Sequence, residues 1–337
     1  MVNTLEEIAS YIVADGKGIL AADESTGTIK KRFDSINVES TEDSRRDYRE
    51  MLFRASSMSE AIGGVILFDE TLRQSASNGD LLRDVISSQK SLPGIKVDQG
   101  VSPFNDSDIE TITKGLDGLD QRCQEYNSLG AKFTKWRAVI NIRGNNIPSD
   151  ECIDQNMECL AEYALIAQKN NMVPIVEPEV IMDGDHSIEI CFDVTKKTLT
   201  RLYDLLDQKN VNIKGTLLKP NMVVSGTTNE VQAPIEEVAE KTLECLKSSI
   251  SNDTPGVVFL SGGQSDIDAT AHLDAMNKIG GFSWKLSFSY GRALQQAALK
   301  SWQGKPENMV AAQEAFNHRA IMNKKAALGH WSMSLEN

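Results

Sequence analysis

The chain predicts an α/β fold closed into a single (β/α)8 barrel, and three observations carry that expectation. Eight short apolar runs recur along its length, each is followed by a polar loop, and between them lie longer segments with helical periodicity. Alternating strand and helix signals, with strands apolar on both faces, imply a parallel sheet covered by helices. Such a sheet either opens as a doubly wound fold or closes on itself, and eight units favour closure.

The runs fall at 18–23 (GILAAD), 63–69 (GGVILFD), 94–100 (GIKVDQG), 133–140 (FTKWRAVI), 172–180 (MVPIVEPEV), 214–222 (KGTLLKPNM), 256–263 (GVVFLSGG) and 284–291 (WKLSFSYG). Ser149 is placed to cap a helix whose Ile153, Met157, Leu160 and Ala164 share one face. After the fifth run, Leu199, Leu202, Tyr203 and Leu206 recur at i, i+3, i+4 and i+7 as one apolar stripe. Pro234 suits the first turn of the next helix, with Ile235, Val238, Ala239 and Thr242 expected to face inward. No linker, low-complexity block or sequence repeat divides the chain. Residues 1–337 therefore read as one TIM-barrel domain with helical N- and C-terminal extensions, 328–337 being a short C-terminal tail.

Composition narrows the function. With 337 residues, 40% of them hydrophobic, the chain has material for a large core. Its net charge of −13 argues against nucleic acid or an anionic membrane as partner, so an anionic ligand must be held by a few locally placed cations. The first residues carry no basic start or apolar stretch and no segment is long enough to span a bilayer, which makes the cytoplasm the expected location. The five cysteines, odd in number and widely spaced, suit reduced thiols in the core. The four histidines show no zinc-binding spacing, so no metal is expected.

Lys219 ends the apolar stretch Gly215-Thr216-Leu217-Leu218-Lys219. Lysine is seldom buried without a reason, and an amine taken out of water beside other cations becomes a nucleophile toward carbonyls. In a barrel, catalytic groups come from the C-terminal strand ends, and residues two apart point the same way. Asp23, Lys96 and Asp98, Lys135 and Arg137, Glu177 and Glu179, and Lys219 all sit near such ends, the pairs at i, i+2. Lys285 lies early in its run and is expected at the opposite rim as a structural charge. After the last two strands, Ser261-Gly262-Gly263 and Ser289-Tyr290-Gly291-Arg292 supply glycines, hydroxyls and a fork-shaped cation where barrels often bind phosphate. Ser25, Thr28 and Arg32, with Lys96, suggest a second anion site. The expected substrate carries a carbonyl and two phosphates.

The motifs LAADES (20–25), GIKVD (94–98), KWR (135–137), VEPE (176–179), GTLLKPNM (215–222), LSGGQS (260–265) and FSYGRA (288–293) closely resemble class I fructose-1,6-bisphosphate aldolase, in family order and over nearly the whole chain. The resemblance implies a carbon–carbon lyase of glycolysis and gluconeogenesis that forms a lysine imine and needs no metal or other cofactor. It also implies a cytoplasmic homotetramer acting on small sugar phosphates, without nucleic-acid or membrane partners. By resemblance Lys219 is the Schiff-base lysine, Glu177 the general acid/base, and Glu179 a residue that hydrogen-bonds within this cluster. Lys135 and Arg137 supply positive charge, Lys135 keeping the Lys219 amine neutral, and Asp23 takes the C4 hydroxyl proton. Ser261, Gly262, Gly263, Ser289, Gly291 and Arg292 match the site for the dihydroxyacetone-phosphate end. Ser25, Thr28, Arg32 and Lys96 match the other phosphate, Thr28 standing where relatives often have serine.

Deoxyribose-phosphate aldolase and transaldolase types also use a strand lysine but account less well for two phosphate sites, and an inactive scaffold would be expected to lose Lys219, Glu177 or Asp23. One departure is visible. Many family members finish in a tail whose terminal tyrosine speeds enamine protonation, whereas this sequence ends Ser334-Leu335-Glu336-Asn337. The expectation is a turnover limited more by enamine protonation than in tailed relatives, or another group that covers the site. Exchange of the C3 proton of bound dihydroxyacetone phosphate should then be no faster than net cleavage, and much faster exchange would contradict it.

Overall fold

The structure is a computed structural model that describes residues 3–144 and 146–336. Eight strands close into a barrel: β1 Gly18–Ala22, β2 Ile62–Leu67, β3 Leu92–Lys96, β4 Phe133–Ile140, β5 Val173–Val180, β6 Leu217–Leu218, β7 Gly256–Phe259 and β8 Lys285–Tyr290. All neighbours pair in parallel, and β1 meets both β2 and β8, so no edge is left open. All eight expected runs become barrel strands.

Strand parity explains how the barrel is filled. Successive side chains of a strand point to opposite faces. One set, Ile19, Ala21, Ile66, Phe133, Val173, Ile175, Leu217 and Val258, fills the barrel interior in a cluster with Ile8, Ala9, Ile12 and Val13 of the N-terminal segment. The other set, including Leu20, Val65, Ile95, Trp136, Val176 and Leu218, joins the outer core beneath the helices. The helix Leu5–Ile12, fixed by a Thr4/Glu7 capping box, plugs the N-terminal end of the barrel. Close approach there requires glycine at 63, where a Cβ would lie 2.1 Å from the Ile12 carbonyl oxygen. Gly94 likewise leaves room for the Phe133 ring, 2.3 Å from where its Cβ would be.

Following the same parity upward, the inward positions change from apolar to charged. Beyond Ile19 and Ala21 comes Asp23; beyond Phe133 come Lys135 and Arg137; beyond Val173 and Ile175 come Glu177 and Glu179; beyond Leu217 comes Lys219. An apolar floor thus carries a charged layer at the C-terminal mouth.

The helix expectations hold with one exception. Ser149 caps the helix Asp150–Lys169 by accepting the Cys152 N–H, and Ile153, Met157, Leu160 and Ala164 are buried. Leu199, Leu202 and Leu206 are buried in the helix Ile188–Gln208, while Tyr203 is half-buried. Pro234 is the N-cap of Ile235–Ser249; Val238, Ala239 and Thr242 are buried, but Ile235 is 36% exposed. Ile235 opens the first turn, before the helix settles on the barrel. The sixth run shortens to two strand residues because Ile213–Gly215 winds into a 3-10 turn and Pro220 offers no N–H. Lys219 N still donates to Val176 O at 2.8 Å, so Lys219 sits on the strand ladder. A small hairpin, Val101–Pro103 with Thr111–Thr113, stands after β3 and was not expected. Lys285 lies at the opposite rim, paired with Asp15 at 2.6 Å, as its place in the run implied. The five cysteines are free thiols, and no described helix is long and apolar enough to cross a membrane. The C-terminal helix Met309–Ala327 is followed by a segment whose Glu336 meets Arg319, His318 and the Trp331 indole N–H.

Candidate active site

The charged layer lines a cavity of about 940 Å³ at the mouth of the barrel. Asp23, Lys96, Asp98, Lys135, Arg137, Glu177, Glu179 and Lys219 all reach it, so the strand-end charges of the sequence converge in one place. Lys135, Glu177 and Lys219 are almost completely buried, each at 4% exposure or less. Ion pairing is what makes such burial tolerable.

Lys135 is the hub. Its Nζ lies 2.7 Å from Asp23 Oδ2, 3.3 Å from Glu177 Oε2 and 4.0 Å from Asp98 Oδ2. Burial opposes its charge, but Asp23, Glu177 and Asp98 outweigh that and hold the ammonium above the usual lysine range. Glu177 is shared: its Oε1 is 3.0 Å from Lys219 Nζ while Oε2 faces Lys135. Lys219 therefore has one carboxylate neighbour where Lys135 has three. Burial pushes the Glu177 carboxyl up, but Lys135, Lys219 and Arg137 reverse the shift and keep it low. Asp23 behaves likewise: burial raises it, and Lys135 followed by Lys219 bring it down to about 2.

A second pair flanks the first. Arg137 Nε donates to Glu179 Oε2, and the register places Arg137 beside Glu177 across the β4–β5 ladder. Asp98 receives Lys96 Nζ at 2.5 Å. Asn221 ties the strand ends together by accepting the Val180 N–H at 3.0 Å and donating to Thr195 Oγ1 at 3.1 Å.

The two loops expected to hold anions line the same cavity. Ser261, Gly262, Ser289, Gly291 and Arg292 line it after β7 and β8. Gly262 has φ +56°, a backbone that favours glycine, and Arg292 Nη2 donates to its carbonyl. The Ser289 hydroxyl is buried and makes no hydrogen bond to any described residue, which leaves it free for a ligand. Ser25 caps the helix Thr26–Asp34 and lies 3.1 Å from the Thr28 hydroxyl, and Lys96 at the end of β3 lines the same cavity.

Two sequence expectations change. Gly263 does not line the cavity: its N–H points at Met182 Sδ, 2.7 Å away, because the turn at Gly262 carries the next peptide outward. Arg32 is not confined to the Ser25 loop. Its Nη1 is 2.8 Å from Glu24 Oε1, and a Cβ on Gly291 would come within 3.6 Å of Nη2, so the guanidinium bridges the two loops. Sequence reasoning also missed Glu24, buried at 7%, although it sits inside LAADES next to Asp23. Asp98 reads in the sequence only as a strand-end charge, and its i, i+2 spacing from Lys96 is the signal of their pairing. Among the described residues no group of three or more His, Cys, Asp and Glu side chains could hold a metal ion.

The (β/α)8 barrel thus holds a buried lysine among carboxylates at its C-terminal mouth, beside loops that carry hydroxyls, glycines and Arg292. The family described as fructose-bisphosphate aldolase class-I matches residues 4–337. A probable class 1 fructose-bisphosphate aldolase of Xanthomonas campestris is 51% identical, covering 98% of this chain and 99% of its own. Sheep fructose-bisphosphate aldolase B is 51% identical over 97% of this chain and 90% of its own length. The cytosolic fructose-bisphosphate aldolase 4 of Arabidopsis thaliana is 50% identical over 98% of this chain and 84% of its own. The solved fructose-bisphosphate aldolase of Plasmodium falciparum, in complex with TRAP and a small-molecule inhibitor, superposes with a TM-score of 0.96 at 45% identity, covering 97% of this chain and 95% of its own. The chain belongs to the class I fructose-bisphosphate aldolase family.

Removing the hub should expose the electrostatics. Lys135→Met leaves buried carboxylates uncompensated, a loss of about 3–5 kcal/mol in unfolding free energy at neutral pH. In the native protein the Asp23 value lies below its unfolded one, so its stabilising contribution is full above the unfolded range of about 4 and is lost as pH falls toward 2. In the variant the orphaned carboxyls titrate upward and are relieved by protonation. The gap between native and variant, followed by denaturant unfolding, should narrow from neutral pH to about pH 4.5; a constant or widening gap contradicts the hub.

Proposed function

We propose that this chain reversibly cleaves fructose 1,6-bisphosphate to dihydroxyacetone phosphate and glyceraldehyde 3-phosphate, without metal, through an imine on Lys219. The observation that carries the residue assignment is the 3.0 Å approach of Lys219 Nζ to Glu177 Oε1, beside a Lys135 that three carboxylates keep charged. Of the two buried amines, Lys219 has the single carboxylate neighbour and Lys135 has three.

The chemistry follows from that placement. Glu177 takes a proton from the Lys219 nitrogen, the amine attacks the C2 ketone, and Glu177 returns that proton to the departing hydroxyl as the carbinolamine loses water. Asp23, ionised, accepts the C4 hydroxyl proton as the C3–C4 bond breaks. The bonding pair moves into the iminium, giving an enamine and releasing glyceraldehyde 3-phosphate. Protonation at C3 and attack of water on the iminium then release dihydroxyacetone phosphate and restore the amine. Lys135 stabilises negative charge that develops near Asp23 and the substrate oxygens. Glu179 holds Arg137 beside Glu177.

Arg292, Ser261, Gly262, Ser289 and Gly291 bind the phosphate of the ketose end, and Ser25, Thr28 and Lys96 the other, with Arg32 between them. Thr28 keeps the hydroxyl that the second phosphate needs. A cytoplasmic homotetramer is the assembly we propose, in keeping with the family. The C-terminal segment, held by Glu336, lies against the C-terminal helix.

Steady-state assays with two substrates test the assignment. Lys219→Met should abolish cleavage, and EDTA should leave the native rate unchanged; loss of activity in EDTA contradicts the imine route. Lys96→Ala should raise KM for fructose 1,6-bisphosphate about 10-fold or more while leaving fructose 1-phosphate within about 2-fold, as loss of a charged contact predicts. Arg292→Ala should raise KM for both, and the reverse pattern would exchange the two phosphate sites.

A further inference from the structure

We infer that Gln295 is a positioning residue for Asp23, gripping the chain on both sides of it. Gln295 is 1% exposed and lies one turn into the helix Arg292–Trp302. Its Nε2 donates to Ala21 O at 2.7 Å and to Glu24 Oε1 at 3.0 Å. Those two acceptors bracket Ala22 and Asp23, so one amide sets the exit of β1. Neither acceptor can donate: one is a carbonyl, and the other is a carboxylate already paired with Arg32. The orientation of the amide is therefore fixed by its surroundings.

The opposite side of the amide is held too. Tyr48, fully buried, places its hydroxyl 3.2 Å from Gln295 Oε1. From the outer face Arg49 Nη2 donates to Glu24 O at 2.8 Å. A buried side chain that makes three polar contacts in this way leaves no neutral alternative at position 295. Glutamate would set a second carboxylate against Glu24, and methionine would fill the volume but leave Ala21 O and Glu24 without their donor.

The helix that carries Gln295 begins at Arg292, so the same turn that presents the guanidinium to the ketose-end phosphate also fixes the backbone of Asp23. The consequence is selective. Asp23 acts when the C3–C4 bond breaks, whereas exchange of the C3 proton of dihydroxyacetone phosphate needs only the imine, Glu177 and the phosphate loop. The inference rests on that reading of Asp23.

Cleavage and exchange measured on the same full-length variants test it. In Gln295→Met, kcat for cleavage should fall about 10- to 100-fold, the loss expected when a reacting group shifts by about an ångström, while C3 exchange stays within about 2-fold. Tyr48→Phe, a milder change should the first variant fail to fold, should give the same split at about 2- to 5-fold. Equal losses in both assays, or no loss in either, in a folded variant overturn the inference. Asp23→Asn run alongside separates the two failures. If it splits cleavage from exchange and the Gln295 and Tyr48 variants do not, the positioning role is wrong and the reading of Asp23 stands; if it does not split them, both fall.

Discussion

One buried ammonium, Lys135, sets the terms for the rest of the site. It is drawn from β4 into a ring of three carboxylates supplied by β1, by the segment after β3 and by β5. Charges in a dry barrel are tolerated only when paired, and removing one partner is far more costly than never having the pair. The arrangement therefore fixes Asp23 and Glu177 in their ionised forms and in place. It also sets two lysines on either side of β5 against the same Glu177: Lys135 has three carboxylates about it, and Lys219 is left with the single shared one.

The apolar floor makes this possible. Phe133, Ile175, Leu217 and the plug helix Leu5–Ile12 exclude water from below, so the charged layer is solvated only from the mouth. Lower dielectric strengthens each ion pair and raises the cost of a misplaced one. The loops after β1, β7 and β8 then line the same cavity above that layer. Arg32 and Gln295 connect the two loops through Glu24.

Much of this was legible in the sequence, because a barrel strand writes its inward face at every second residue. Phe133, Lys135 and Arg137, or Ile175, Glu177 and Glu179, state both the interior and the charged mouth in one run. Side chains that act from helices were less legible. Gln295 reads as an ordinary helical glutamine until the fold sets it against Ala21 O, more than two hundred residues away in sequence. Arg32 was placed by its neighbours Ser25 and Thr28, but a long side chain on the last turn of a helix reaches a different loop from its first turn. Gly263 was grouped with Gly262 by adjacency, whereas a left-handed residue reverses the direction of the peptide that follows. The hairpin after β3 was missed because its strands of three residues are too short to show a period.

The division between the two lysines is the claim on which the account turns. Borohydride reduction in the presence of dihydroxyacetone phosphate, followed by peptide mass mapping, tests it most directly. The account predicts a reduced adduct on Lys219 and an unmodified Lys135. An unmodified Lys219 peptide, or an adduct on Lys135, would contradict it.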